Sequence, residues 1–239
     1  MCRQPEQERR SRNVEEKTYK NRGDMVFETL KREILDLELK PGQAISENEI
    51  CERFGVSRTP VRDALRRLQE QDFVESIPYG GTYVTLLNLS NIKQMIYMRV
   101  AVELMVMGDF MEIATPMMME EIRYMIRKQG ALILEPGFEP EQFYRLDAEM
   151  HAIWFAATDK MKIWELVQAQ QLHYTRFRML DFVTETDFTR IIKEHTQLFE
   201  LLEKKDKEGL EKALKEHLFY SMHRMKHTIE VDCKDYFVQ

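Results

Sequence analysis

The chain has 239 residues and a formal net charge of −6. That length suits two domains of ordinary size, and the acidic balance excludes general coating of nucleic acid, so any DNA affinity has to come from a local basic patch. Cys2, Cys51 and Cys233 are odd in number and widely spaced, which argues against a disulfide framework or a cysteine zinc site. With no membrane-length apolar run and no signal-peptide pattern, the expected compartment is a reducing cytoplasm.

Residues 1–20 are charged and nearly free of large apolar groups, and read as a mobile or loosely helical arm. Residues 21–86 read as a first domain. Ser46 with Glu47 and Glu49 in the following turn is a helix-start signature. Ile50 and Phe54 give that short helix an apolar face, and Gly55 permits the left-handed exit. Ser57 is placed to cap a second helix, in which Val61, Leu65 and Leu68 recur at i, i+4, i+7. Arg58, Arg62 and Arg66 fall on a neighbouring stripe. One face packed into a domain and the next carrying guanidinium forks is what a DNA recognition helix requires. Residues 73–75 and 82–84 predict two short strands around Pro78-Tyr79-Gly80-Gly81, the wing of a winged helix-turn-helix. A solvated arginine face is the bland alternative, and the agreement of turn, stripe and hairpin weighs against it.

From Ser90 to about Val231 the pattern is helical almost throughout. Six segments are expected, at roughly 90–113, 117–134, 140–157, 160–182, 186–204 and 207–230. Their breaks fall at Thr115-Pro116, Glu135-Pro136-Gly137 and near Lys204-Asp206. Short connections predict an antiparallel all-α bundle over 87–239. The fold class is therefore mainly α, a winged helix-turn-helix followed by a helical bundle. The many methionines, Met117-Met118-Met119 among them, read as core and interface filler.

Several polar residues fall on apolar stripes. Asp147 and His151, four apart, lie along the edge defined by Phe143, Leu146, Met150 and Trp154. His195 lies among Ile191, Ile192, Leu198, Phe199 and Leu202, and His217 among Leu210, Leu214 and Met225. A single inward histidine is more often a satisfied core residue. Three with an aspartate share one economical solution, a bound cation, and core burial and metal ligation stand level on the pattern alone. The nitrogen and oxygen set suits a divalent transition metal, zinc first, with nickel, manganese or iron as alternatives. Arg99 and Glu103 occupy the centre of another apolar face, either as an internal pair or as a grip for a carboxylate ligand.

The segments Pro41-Gly42, SENEI at 46–50, FGVSRTPVRDAL at 54–65 and FVESIPYGGTYV at 73–84 resemble the DNA-binding domain of GntR-type bacterial transcription regulators. The resemblance implies contacts to base and phosphate from Arg58, Thr59 and Arg62, with Gly81 at the wing tip, and Ser57 and Arg66 of the same helix complete the expected DNA-contacting set. Asn48 stands where some members carry a DNA-contacting arginine, and Asp72 where the family usually has a helix-ending glycine. Residues 90–230 resemble the FCD ligand-binding domain of the FadR-like branch, in its shorter, six-helix VanR-like form. That resemblance assigns Asp147, His151, His195 and His217 as metal ligands and Arg99 and Glu103 to a small organic-acid effector. It further implies a homodimer on a palindromic double-stranded operator, and no catalytic residue. The expected function is a metabolite-responsive regulator, a repressor by preference. The alternatives are a metal-dependent enzyme built on the bundle and a regulator whose metal is purely structural.

Overall fold

The computed structural model of the chain describes residues 22–169, 172–184 and 188–238, so the expected N-terminal arm lies outside the described residues. Contacts divide the chain into two compact units, one up to Leu86 and one from Leu87.

The first unit opens with α1, residues 22–35. Its Val26, Phe27, Leu30 and Ile34 recur at helical spacing and are buried. Then come β1 (Ala44–Ile45), α2 (Glu47–Phe54), α3 (Arg58–Glu70), β2 (Val74–Ile77) and β3 (Gly81–Val84). Ser46 caps α2 as expected, its hydroxyl accepting from the Glu49 amide at 3.3 Å. Gly55 closes the same helix at φ 61°. Ser57 occupies the cap position of α3, but its side chain makes no capping hydrogen bond, so the expected cap is positional only. Asp72 takes φ 63° where the chain leaves α3, in the left-handed region that aspartate tolerates better than most residues. The sheet has order β1-β3-β2. β2 and β3 pair antiparallel from Val74↔Val84 to Ile77↔Gly81, and β1 adds a third strand to the expected hairpin.

The second unit holds α4 (Leu89–Ile113), α5 (Pro116–Leu132), α6 (Pro140–Ala157), α7 (Met161–Ala169), α8 (Leu172–Thr184), α9 (Thr189–Lys204) and α10 (Lys207–Arg224). The expected breaks are capped ones. Thr115 accepts from Met118 N with Pro116 in the first turn, Gly137 turns at φ 76°, and Asp206 accepts from Gly209 N at 2.9 Å. The expected segment 160–182 is described as α7 and α8, with residues 170–171 between them outside the description. The last segment was expected to run to 230. Regular helix stops at Arg224 instead, and a π-helical turn follows over Thr228–Asp232. The tail then returns to the first residue of the unit. Leu87 N donates to Tyr236 O at 2.7 Å and Val238 N to Leu87 O at 2.9 Å, with Leu87 and Phe237 buried. α6 is the positioning element of the bundle, because α4, α5, α7 and α8 all pack against it.

Candidate functional site

In the first unit, α3 is two-faced. Pro60, Val61, Ala64, Leu65 and Leu68 are buried, whereas Ser57, Arg58, Thr59, Arg62 and Arg66 are exposed. The exposed arginines lean on neighbours within the unit. Arg58 donates to Asn48 Oδ1 at 3.2 Å, Arg62 Nε to Glu47 at 3.0 Å and Arg66 Nη2 to Asp63 at 3.0 Å. Such exposed pairs are weak and exchange readily for phosphate. Two other arginines serve the fold. Arg67 lies 4.0 Å from the Phe27 ring centre and pairs with Asp24, and Arg53 holds the buried Glu33. Gly81, expected at the wing tip, begins β3 at φ 121°, exposed.

In the second unit, three helices bring four side chains together. Asp147 and His151 come from α6, His195 from α9 and His217 from α10, and one ligand atom of each lies within 4.8 Å of the others. Asp147, His151 and His195 are at most 1% exposed, and the His217 side chain 6%. Asp147 Oδ1, His151 Nε2 and His195 Nε2 are buried and make no hydrogen bond among the described residues, although Asp147 Oδ1 and His195 Nε2 lie 3.3 Å apart. Leaving three such atoms orphaned is costly, and a cation at their convergence satisfies all of them. The set fits a transition metal on that ground.

The opposite side of each ligand is held. His151 Nδ1 donates to Glu103 Oε2 at 2.6 Å, His195 Nδ1 to Gln129 Oε1 at 2.7 Å and His217 Nδ1 to Glu194 Oε2 at 2.9 Å. Arg178 Nη2 donates to Asp147 Oδ2 at 2.7 Å. A proton kept on Nδ1 by an acceptor leaves the Nε2 lone pair facing inward, the usual construction around ligating histidines. Burial lowers the pKa of all three imidazoles, only partly offset by Glu103 at His151, Asp147 at His195 and Glu194 at His217. They are therefore neutral, the form that ligates. Burial by itself would raise the Asp147 carboxyl, but the Arg178 guanidinium holds it well below the usual range.

Arg99 and Glu103, expected at an effector, form a buried pair. Arg99 Nε donates to Glu103 Oε1 at 2.7 Å and Nη1 to the Tyr174 hydroxyl at 3.1 Å. Burial opposes the Glu103 charge, yet Arg99 and His151 hold its pKa down at about 2. A cavity of about 30 Å³ reaches His217 past Tyr174, Arg178, Arg190, Glu194 and Arg224. Gln129, Arg178, Glu194 and Arg190 were not anticipated. Of these, Gln129 carried a signal, a polar residue seven and four positions along from Ile122 and Met125 on the same buried stripe.

A winged helix-turn-helix joined in one chain to a helical bundle with a buried polar centre is the architecture of a DNA-binding transcription regulator. Residues 22–84 match the bacterial regulatory proteins of the gntR family and residues 94–219 match the FCD domain. The chain belongs to the GntR family of transcription regulators, in the branch that carries an FCD domain. It is 25% identical over 193 residues to the HTH-type transcriptional repressor RspR of Escherichia coli K12, covering 81% of this chain and 84% of the relative. A regulator of Streptomyces ambofaciens is 29% identical over 198 residues, covering 83% and 82%. Among solved structures, E. coli McbR/YncC superposes with a TM-score of 0.66 at 20% identity, over 87% of this chain and 98% of that one. RspR and the Streptomyces protein are named as transcription regulators, in keeping with the family to which this chain belongs.

Proposed function

We propose that the chain is a cytoplasmic, homodimeric repressor that releases or engages a palindromic operator in response to a small organic acid sensed at a metal centre. The observation that carries this reading is the convergence of three orphaned buried atoms, Asp147 Oδ1, His151 Nε2 and His195 Nε2, with His217 beside them. Asp147, His151, His195 and His217 would hold a divalent transition metal, zinc first and nickel, manganese or iron otherwise. Such an ion supplies an open position for a carboxylate oxygen. Arg99 and Glu103 serve the same centre from behind, by fixing the His151 ring through Nδ1. Zinc content after dialysis tests the assignment: one ion per wild-type chain and none in His195→Ala/His217→Ala is expected, and an unchanged content in the double variant sinks it.

DNA contact is assigned to the exposed face of α3, with Arg58, Arg62 and Arg66 as the cations, Ser57 and Thr59 at its start, and Gly81 in the wing. Alanine at both Arg58 and Arg62 should abolish operator binding at physiological salt, read by fluorescence anisotropy. For the homodimer, support comes from α4. Its inner face is apolar, yet Tyr97 (73% exposed) and Met105 (76% exposed) also stand outward, with Ala101 exposed between them. A helix apolar on both faces is suited to burial on both.

A further inference from the structure

The structure also points to the residue that grips the effector, an inference that rests on the carboxylate-sensing reading above. The arginines around the centre are committed to different degrees. Arg99 is 1% exposed, bonded to Glu103 through Nε and to Tyr174 through Nη1, and its Nη2, which makes no hydrogen bond of its own, lies 2.6 Å from Glu103 Oε1. Arg178 serves Asp147 through Nη2, and the rings of Tyr144, Tyr174 and Phe182 surround its guanidinium at 5.0–5.8 Å. Arg224 is held by Asp181.

Arg190, at the start of α9, differs from all three. Its side chain is 54% exposed, and its hydrogen bond runs from Nε to Glu194 Oε1 at 2.9 Å. Among the described residues neither Nη group has an acceptor. The guanidinium carbon lies 3.4 Å from the centre of the Tyr220 ring. A ring beneath the plane and an acid on Nε fix the orientation of the fork before anything binds, which lowers the entropy lost when a planar anion docks on it. Arg190 also lines the small cavity at His217 and two wider clefts beside it, of about 240 and 350 Å³. Glu194 connects the fork to the metal centre, since its other oxygen accepts from His217 Nδ1.

We propose that Arg190 is the carboxylate-binding residue of the sensing unit, gripping a small organic acid bidentately through Nη1 and Nη2. Glu194 then links that contact to His217. In this arrangement Arg190 fills the role that the sequence alone suggested for Arg99.

The test is calorimetric titration of the zinc-loaded, full-length chain with acetate, lactate and citrate, for wild type, Arg190→Gln and Arg190→Lys. One zinc per chain is expected in all three. Affinity for the tightest-binding acid should fall by about ten- to a hundred-fold in Arg190→Gln, the loss typical of a charge-assisted pair. Arg190→Lys, which keeps the charge and loses the fork, should recover only part of it. Undiminished affinity in Arg190→Gln overturns the proposal, and so does a wild-type chain that binds zinc but none of the three acids. Loss of zinc along with the acid in Arg190→Gln overturns it too, because Arg190 would then be acting on His217 through Glu194 rather than on the anion. A wild-type chain without zinc sinks the metal reading instead, and the same titrations on that protein still decide on Arg190.

Discussion

Gln129 illustrates how single residues control the polar centre. It is fully buried, and its carbonyl oxygen is the acceptor that keeps the proton of His195 on Nδ1. Gln129→Leu preserves much of the volume and removes the acceptor, so the ring loses both orientation and tautomer. Loss of such a partner typically weakens metal binding about 10- to 100-fold, and zinc competition with a chromophoric chelator should show a drop of that order. The histidines also set a pH dependence in the metal-free protein. Their folded pKa values are lowered from the ordinary 6.5 by burial. The unfolded chain therefore takes up protons first as the pH falls. Stability present above about pH 6.5 is progressively lost below it, down to the folded values. Denaturant midpoints measured with chelator at pH 7.5 and 5.5 should show the decline, and His195→Ala/His217→Ala should flatten it.

At the scale of elements, α2 and α3 make a direct comparison of two serines in the same sequence role. Ser46 donates no special chemistry beyond accepting the Glu49 amide, yet that satisfies one of the orphan donors at the start of α2. Ser57 sits at the equivalent point of α3 without the bond. Ser46→Ala should cost about 1 kcal/mol, while Ser57→Ala should change the stability of the unit far less and register in operator affinity instead. Chemical denaturation and anisotropy on the same two variants separate the effects. The sequence pattern could propose both caps because serine before a helix is the signal. It could not tell them apart, because a cap bond depends on the side-chain torsion and the entry angle of the chain. The helix α1 was not anticipated, although Val26, Phe27, Leu30 and Ile34 recur at helical spacing, and the two-residue strand β1 is too short to carry an alternation of its own.

For the whole molecule, the proposed metal and the proposed subunit association would each be linked to folding. A ligand that binds only the folded unit stabilises it by about 4 kcal/mol at a thousand-fold excess over Kd. For a unit of this size that corresponds to a rise in melting temperature of roughly 8–16 °C. If the metal assignment holds, calorimetric scans with zinc and with chelator should differ by that amount for the second unit, and leave the transition of the first unit in place. Association along α4 is tested by Met105→Glu, which sets a charge on the outward apolar face. Sedimentation should shift from a dimer to a monomer, and a dimer that persists in the variant rules this face out.

The linear chain by itself determined the two-domain plan, the recognition helix and the four ligand candidates. Those features are carried by local spacing: Val61, Leu65 and Leu68 against Arg58, Arg62 and Arg66 on one helix, or a histidine set within an apolar stripe on another. Helical periodicity converts such spacing directly into a face. Tertiary structure alone decided which polar groups meet across helices. Arg99 and Arg190 are both arginines four residues from a glutamate, Glu103 and Glu194, and nothing in that local pattern ranks them. Packing of α4 against α6 and α8 closes over Arg99 and commits it to Glu103 and Tyr174. The start of α9 lies at the edge of the bundle, where Arg190 keeps an open fork above Tyr220. Burial, and with it the availability of a charge, is a property of the assembled bundle.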